Sequence, residues 1–254
     1  MDNYALELIK KGRRVDGRDF NQFRNIEVRN NIISKAEGSS RVKIGGTEVI
    51  AGVKLNLGTP FPDMPDNGNL SVNAEFSPIA SPEFEPGPPS EDATELARVV
   101  DRGIRESHAI ELEKLCITPG EKVWSVFIDL LLISHKGNLL DACSLAAVNA
   151  LWNARIPKIE DEKVVRGEYL GKLPVVWKPV NISVCKVDKH FLMDPALEEE
   201  DIIDAKLCIA IRDDDKICSL QKQGRSALKF NDLEKMFDLA LERSKKMREH
   251  IISE

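Results

Sequence analysis

The sequence predicts an α/β protein in which mixed sheets and helices form two lobes. Strand-like alternation of apolar residues precedes an amphipathic helical pattern that starts at residue 92 and extends to about residue 115. An apolar strand at 122–133 then leads into a second helical pattern at 139–154. After a stretch with charges, glycines and prolines, strands followed by a long helix return, which is the order expected of a second lobe.

These patterns divide the chain into four parts. Residues 1–24 form an N-terminal helix and an arginine-rich arm, and residues 25–155 form the first lobe. Residues 156–179 are interpreted as a connector, and residues 180–254 as the second lobe.

Turn and strand signals support the order of elements within each lobe. Gly45-Gly46 separates two alternating runs, which predicts a two-residue hairpin. Residues 70–76 are a further strand, and five prolines at 78–90 require an exposed loop. In the second lobe, strands are predicted at 180–187, 191–194, 205–211 and 217–220, followed by a helix over 232–251.

Composition indicates a globular protein without a disulfide framework. The 254 residues are 42% apolar and 31% charged, and the net charge of −6 excludes a generally basic nucleic-acid-binding surface but not a local basic strip. Five cysteines without CxxC spacing are expected to be core thiols in a reducing compartment.

The chain is expected to use no cofactor and no metal, and to be cytoplasmic. Its four histidines show no metal-ligand spacing. The N-terminal segment has no apolar signal region, and no apolar run reaches membrane-spanning length, so no membrane partner is expected.

Three arginines in ELARVVDRGIRES (95–107) are the strongest candidate for a binding site. Arg98, Arg102 and Arg105 are spaced i, i+4, i+7, which places three guanidinium groups on one helix face, where they suit phosphates. Asp92 is the expected N-cap, with Glu95 as its reciprocal partner. The alternative is a solvated helix face whose arginines pair with Asp101 and Glu106.

Several segments, taken in order, resemble the RNase PH family of phosphorolytic exoribonucleases. They are Arg14–Arg18 with Arg24, the hairpin from Gly38 to Val53, the arginine helix, and the strand, loop and helix from Val126 to Leu151. Within the family, FEPGPPSEDATELARVVDR (84–102), GNLLDACSLAAVNAL (137–151) and MDPALEEED (193–201) are most similar to the non-catalytic RNase PH-like subunits of the archaeal exosome.

The resemblance implies an RNase PH-like fold and a place in a complex that degrades RNA in the 3'-5' direction. The implied partners are a catalytic RNase PH-like subunit, alternating with this chain in a hexameric ring, RNA-binding cap subunits, and single-stranded RNA. Arg98, Arg102 and Arg105 would line the RNA path. Arg13, Arg14 and Arg18 are weaker candidates, either for RNA or for salt bridges to the partner subunit.

The resemblance also implies that this chain lacks residues that active relatives use for phosphorolysis. In active relatives the strand-to-helix loop supplies a hydroxyl residue and an arginine for phosphate, and Leu139 and Leu140 stand at those positions here. Asn138 is the expected N-cap of that helix, and Asp141 occupies the positive end of its dipole. Lys206 aligns with an essential aspartate, although Asp201 and Asp204 lie close enough for the alignment to be in error.

Two other functions remain open from the sequence. An active phosphate-dependent exoribonuclease would need an anion site built from the N-terminal arginines and Lys136. A small-molecule α/β enzyme lacks support, because no glycine-rich nucleotide loop is found. The acidic run Glu198–Asp201 is interpreted as solvated surface in preference to a metal site.

Overall fold

Two large β-sheets with helices packed between them form the protein in a computed structural model that describes residues 2–161 and 163–252. The helices are α1 (Asp2–Lys10), α2 (Glu91–Glu106), α3 (Leu139–Trp152), α4 (Leu197–Glu200) and α5 (Phe230–Arg248). The strands are β1 (Ile26–Asn30), β2 (Gly38–Ile44), β3 (Thr47–Gly58), β4 (Asn69–Glu75), β5 (Cys116–Thr118), β6 (Lys122–Ser134), β7 (Arg155–Glu160), β8 (Lys163–Lys172), β9 (Val180–Val187), β10 (His190–Met193), β11 (Ala205–Ile211) and β12 (Ile217–Gln223).

The first sheet has the order β1-β2-β3-β6-β4, with β5 added beside β6. β4 runs parallel to β6 and the other pairs are antiparallel, so this sheet is mixed as the sequence predicts. The hairpin at Gly45-Gly46 is confirmed, because Ile44 pairs with Thr47 across the turn. Gly45 has a φ of 58°, a left-handed conformation that glycine adopts without strain.

The second sheet has the order β10-β9-β11-β12 and is antiparallel in every pair. Mixed pairing is therefore confined to the first sheet. β12 forms one edge of this second sheet, and it contacts α2 of the first lobe. This contact places the end of the second sheet beside the arginine helix.

α2 and α3 lie between the sheets and join them into one continuous core. α3 contacts β2 and β3 on one side and β9 on the other, and its residues from Leu140 to Leu151 are all buried. α2 approaches β9 closely at Gly103, where an added Cβ would lie 2.8 Å from Asn181 Oδ1. A side chain at this position would therefore displace the side-chain amide of Asn181. α5 packs against β9 and β11.

The arginine helix is shorter than the sequence predicts, and its cap is different. Ser90, not Asp92, is the N-cap, and its Oγ accepts a hydrogen bond of 3.2 Å from the Ala93 amide. The helix ends at Glu106 and does not reach Leu115. The reason is local: His108 adopts a left-handed φ of 52°, and a separate 3-10 helix follows at Leu112–Leu115.

The predicted connector at 156–179 is not a simple linker. β7 and β8 form an antiparallel hairpin that occupies most of it, with register shifts next to Pro157. The sequence of β8 lacks the alternation of apolar and polar residues that predicts a strand, because neither face of β8 is fully buried.

The cysteines are free thiols, and Cys143, Cys185 and Cys208 are buried as expected of core residues. The expectation is wrong for Cys116 and Cys218, which are partly exposed. Burial raises the pKa of the thiols of Cys143, Cys185 and Cys208, so they remain protonated. Among the described residues, no helix combines the length and apolar character needed to cross a membrane.

Candidate nucleic-acid interface

The arginine helix buries one face and exposes the other, as its spacing predicts. Its apolar face packs into the core through Ala93, Leu96, Ala97, Val99, Val100, Gly103 and Ile104. On the polar face, Arg98 and Arg105 are exposed and Arg102 is partly buried. The structure therefore brings the three predicted residues onto one side of α2, beside β12.

The three arginines differ in how their donors are used. Arg105 donates from Nε and Nη2 to the two carboxylate oxygens of Asp101, at 3.0 and 2.8 Å. Its Nη2 also donates to the Leu70 carbonyl at 2.9 Å. The ion pair with Asp101 that the alternative interpretation requires is thus present, whereas Glu106 forms no ion pair within the described part of the chain. Arg105 is the most compensated member of the row.

Arg102 and Arg98 keep free donors. Arg102 donates from Nη1 to Gln221 Oε1 at 3.2 Å, and this is its only hydrogen bond to a described residue. Arg98 has neither a hydrogen bond nor an ion pair within residues 2–161 and 163–252. Two guanidinium groups on α2 are therefore available to an anionic ligand.

An open depression of about 350 Å³ lies between α2 and β12. It is lined by Pro89, Glu91, Thr94, Glu95, Arg98, Val99, Arg102 and Gln221. Nothing in the sequence singles out Gln221 for this position beyond its alternation with Gln223 along a strand. The depression combines two arginine side chains with two glutamates and with the apolar side chains of Pro89 and Val99.

The start of α3, where a phosphate would be expected in an active relative, is closed by the protein's own carboxylates. Asn138 is the N-cap residue as predicted, but its side chain bonds no helix amide. Its backbone N–H donates to Glu200 Oε1 at 2.8 Å, and its Nδ2 donates to Asp194 Oδ1 at 3.0 Å. Leu139 and Leu140 follow and offer no donor side chain. An incoming phosphate would meet two carboxylates here.

A third carboxylate, Asp141, lies in the first turn of α3 and is buried. Burial raises its pKa to about 6, although Ser183 and Asn138 donate hydrogen bonds to it. Asp194 behaves in the opposite way: burial opposes its ionisation, but the hydrogen bonds and charge of Arg24 outweigh it, so its pKa is lowered. Arg24 thus compensates the charge of Asp194, whereas Asp141 is left as an acid whose burial outweighs its hydrogen bonds.

Three N-terminal arginines form ion pairs with buried acids of the protein, Glu199 and Asp194. Arg14 is buried and donates from Nε and Nη2 to Glu199 at 3.0 and 2.5 Å. Arg18 and Arg24 both donate to Asp194, at 2.8 Å and at 2.6–2.8 Å. The prediction that Arg14 contacts RNA or a partner subunit is wrong, because its side chain is inaccessible. Arg13 is exposed, and its role stays a prediction.

The acidic run at 198–201 is only in part the solvated surface predicted. Glu198 and Asp201 are exposed, but Glu199 is fully buried against Arg14. Within the described residues, no group of three or more His, Cys, Asp or Glu side chains converges as a metal site would require. Lys206 lies within β11, paired with Cys185 on β9 and Gln223 on β12.

Two models of one protein family match successive parts of the chain. The family described as "3' exoribonuclease family, domain 1" matches residues 22–157. Domain 2 of the same family matches residues 179–243. Together they span most of the chain.

Curated relatives match over nearly the full length. The exosome complex component Rrp42 of Thermococcus onnurineus is 45% identical over 256 residues, covering 99% of this chain and 94% of the relative. The protein of the same name from Methanothermobacter thermautotrophicus is 47% identical over 248 residues, covering 96% and 92%.

Solved structures show the same fold. A chain from a structure described as the Archaeoglobus fulgidus exosome with RNA bound to the active site has a TM-score of 0.93 and 45% identity, covering 99% of this chain and 97% of that one. Rice Rrp46 has a TM-score of 0.71 at 19% identity, covering 94% and 98%, which bears on the fold alone.

Proposed function

This chain belongs to the RNase PH family of 3' exoribonucleases, and on that premise we propose that it is a non-catalytic subunit of an archaeal-type exosome. In this role it binds and positions RNA, while a catalytic paralogue in the same ring cleaves it. The observation that carries the proposal is one contrast: the face of α2 keeps free arginine donors, whereas the start of α3 is filled by carboxylates.

Phosphorolysis requires a phosphate dianion to be held beside an RNA backbone that is already anionic. Such a site needs fixed positive charge or an open helix N-terminus. Here Leu139 and Leu140 supply no donor side chain, and Glu200 accepts the backbone N–H of Asn138. Asp194 and Glu200 would repel the dianion further. On this proposal the described residues at the start of α3 do not bind the attacking phosphate.

RNA binding without cleavage uses a different surface. Arg98 and Arg102 can each donate to phosphodiester oxygens, and such contacts fix the position of a strand without reading its bases. The chain's share of the reaction is to hold single-stranded RNA so that its 3' end reaches the partner's site. Its partners are the catalytic RNase PH-like subunit, in a hexameric ring, and RNA-binding cap subunits, in keeping with the exosome relatives.

The alternative, an active phosphate-dependent exoribonuclease, has less support. It would assemble an anion site from the N-terminal arginines and Lys136. Glu199 already pairs with Arg14, and Asp194 already pairs with Arg18 and Arg24. Of that set only Arg13 and Lys136 are exposed, and two separate cations do not form a phosphate pocket.

The test compares the isolated chain with its mixture with a catalytic paralogue, using single-stranded RNA, phosphate and a divalent metal. The isolated chain should release no nucleoside diphosphates, and the mixture should form a particle of about six subunits by light scattering. A mixture containing an inactivated paralogue serves as the control, and it should also release none. Robust phosphorolysis by the verified pure chain, or a mixture that stays as separate species, would overturn the proposal.

A further inference from the structure

Two glutamines on β12 reach across to α2 beside the arginine row. Gln221 and Gln223 are two residues apart, so their side chains lie on the same face of the strand. Both donate from Nε2 to the same oxygen of Glu95, at 3.2 and 2.8 Å. Since β12 belongs to the second sheet and α2 to the first lobe, these hydrogen bonds connect the two lobes.

The orientation of the Gln221 amide follows from its neighbours. Arg102 can only donate, and the Glu95 carboxylate can only accept. The amide oxygen of Gln221 must therefore face Arg102, and its nitrogen must face Glu95, as observed. One amide thus separates a guanidinium group from a carboxylate that would otherwise attract it.

The glutamines also affect Arg98. Glu95 lies three residues before Arg98, a spacing at which side chains on a helix meet and acids pair with bases. Farther along the same helix, Asp101 and Arg105 lie four residues apart and do form an ion pair. Glu95 instead bonds the two amides, and Arg98 remains unpaired within the described residues. The two acids differ in spacing, three residues against four, and only Glu95 has glutamine amides beside it that occupy its carboxylate.

The hydrogen bond to Gln221 leaves the Nε–Nη2 edge of the Arg102 guanidinium group unpaired among the described residues. Its Nη1 bonds the neutral Gln221 oxygen, so Nε and Nη2 remain free of described partners. The Nε–Nη2 edge is the one that Arg105 uses for its two-point contact with Asp101. A phosphodiester has the same paired oxygens, and it can occupy this edge of Arg102 in two-point geometry.

We propose that Gln221 and Gln223 are positioning residues for RNA binding, which keep the Glu95 carboxylate away from Arg98 and fix Arg102 with its phosphate-binding edge free. The ligand is the phosphodiester backbone of single-stranded RNA in the depression between α2 and β12. The inference rests on the proposed function, and it adds that neutral amides in the second lobe keep the arginines of the first lobe available.

The experiment measures the affinity of assembled rings for a fluorescent oligoadenylate over a salt series in phosphate-free buffer. Replacing both glutamines (Gln221→Leu with Gln223→Leu) frees Glu95 to pair with an arginine. Affinity should fall by roughly threefold to tenfold, the loss of about one charged contact, and the dependence of log K on log salt should flatten by about 0.7. Gln223→Leu alone, a milder change, should shift affinity in the same direction.

Rescue separates positioning from a purely structural role. Adding Glu95→Gln to the double glutamine variant removes the released charge and should restore most of the affinity. If affinity falls but Glu95→Gln does not restore it, or if the glutamine variants bind like the wild type, the inference is overturned. Assembly and thermal unfolding are measured for each ring, and a double variant that fails to assemble is replaced by Gln223→Leu with the same rescue.

One further variant distinguishes this inference from the proposed function. Arg98→Ala with Arg102→Ala should weaken binding whatever the glutamines do. If that variant weakens binding while the glutamine variants do not, only the positioning role fails. If the double arginine variant binds like the wild type, the proposed RNA-binding function fails, and the positioning role fails with it.

Discussion

Two groups of three arginines in this chain differ in how far their guanidinium groups are paired with carboxylates. The N-terminal group, Arg14, Arg18 and Arg24, is held by Glu199 and Asp194 through ion pairs of 2.5 to 2.8 Å. The group on α2 has one ion pair, at Arg105, and its other two members keep free donors. The difference shows that the carboxylates within reach, more than the number of arginines, decide whether a basic cluster can bind an external anion.

The two groups differ because the fold pairs acidic side chains with the N-terminal arginines and, among the described residues, not with Arg98 and Arg102. A buried charge without a partner is strongly unfavourable, so the folded chain must bring an acid to Arg14. That acid is on α4, 185 residues away in the sequence. The α2 arginines border solvent and need no such partner. The first group therefore fastens the arm to the second lobe, and the second group remains available to a ligand.

The largest expected effect concerns Arg14. Arg14→Ala leaves the fully buried Glu199 without its ion pair, which should lower the free energy of unfolding by about 3–5 kcal/mol. Urea unfolding measures it. Arg13→Ala is the matched control, because it removes the same charge from an exposed neighbour and should change stability by no more than about 0.5 kcal/mol. Equal unfolding of the two variants would contradict the structural role of the N-terminal group.

A second prediction concerns the closed start of α3. Because the pKa of Asp141 is about 6 in the folded protein, above the ordinary aspartate value of 3.8, the folded state holds this proton more tightly than the unfolded chain does. Its contribution to stability is thus present below the unfolded pKa and is lost as the pH rises through about 6. Asp141→Asn should remove this dependence, which amounts to at most about 3 kcal/mol across that range.

The measurement is urea unfolding of both proteins in a pH series spanning about 4 to 8. The variant also changes the hydrogen bonds that Ser183 donates to Asp141, but their preference for the ionised carboxylate is already contained in the pKa of about 6, so the readout is the difference in slope. If the stability difference between Asp141→Asn and the wild type stays constant over the series, Asp141 is not the uncompensated acid described here.

The smallest expected effect tests the one paired arginine on α2. Asp101→Asn should release Arg105 for RNA and raise the affinity of the ring by about twofold to threefold, the range of an exposed ion pair. Glu106→Gln is the matched control: it removes the same charge from the same helix at a residue without an arginine partner in the described chain. An equal rise for both would mean that only net charge matters.

Local patterns in the sequence predicted much of this molecule. The Gly45-Gly46 hairpin, the amphipathic α2 and the buried α3 each follow from periodicity and turn residues within about 20 positions. The limits of elements were less predictable. α2 ends early because of the backbone at His108, and the charged hairpin of β7 and β8 lacks the clear alternation of a half-buried strand.

Long-range pairing is what the sequence could not supply. Arg14 and Arg98 look alike in a sequence, yet Arg14 forms an ion pair with Glu199 and Arg98 forms no hydrogen bond or ion pair with a described residue. Glu199 itself looked like one of four solvated acids. Gln221 gained meaning only when β12 was placed beside α2. The candidate arginines were predictable because helical spacing is local, while their availability depends on residues more than 100 positions away.

The most direct test of RNA binding by α2 is a salt titration of RNA affinity for rings carrying the wild-type chain or the triple variant of Arg98, Arg102 and Arg105 to Ala. The account predicts weaker binding, similar across RNA sequences, and a salt dependence flattened by about 1.4, since two free arginines each contribute roughly 0.7. Ring assembly should be preserved, because the changes lie on the polar face of α2. Unchanged affinity and slope in an intact ring would show that these arginines are only a solvated surface.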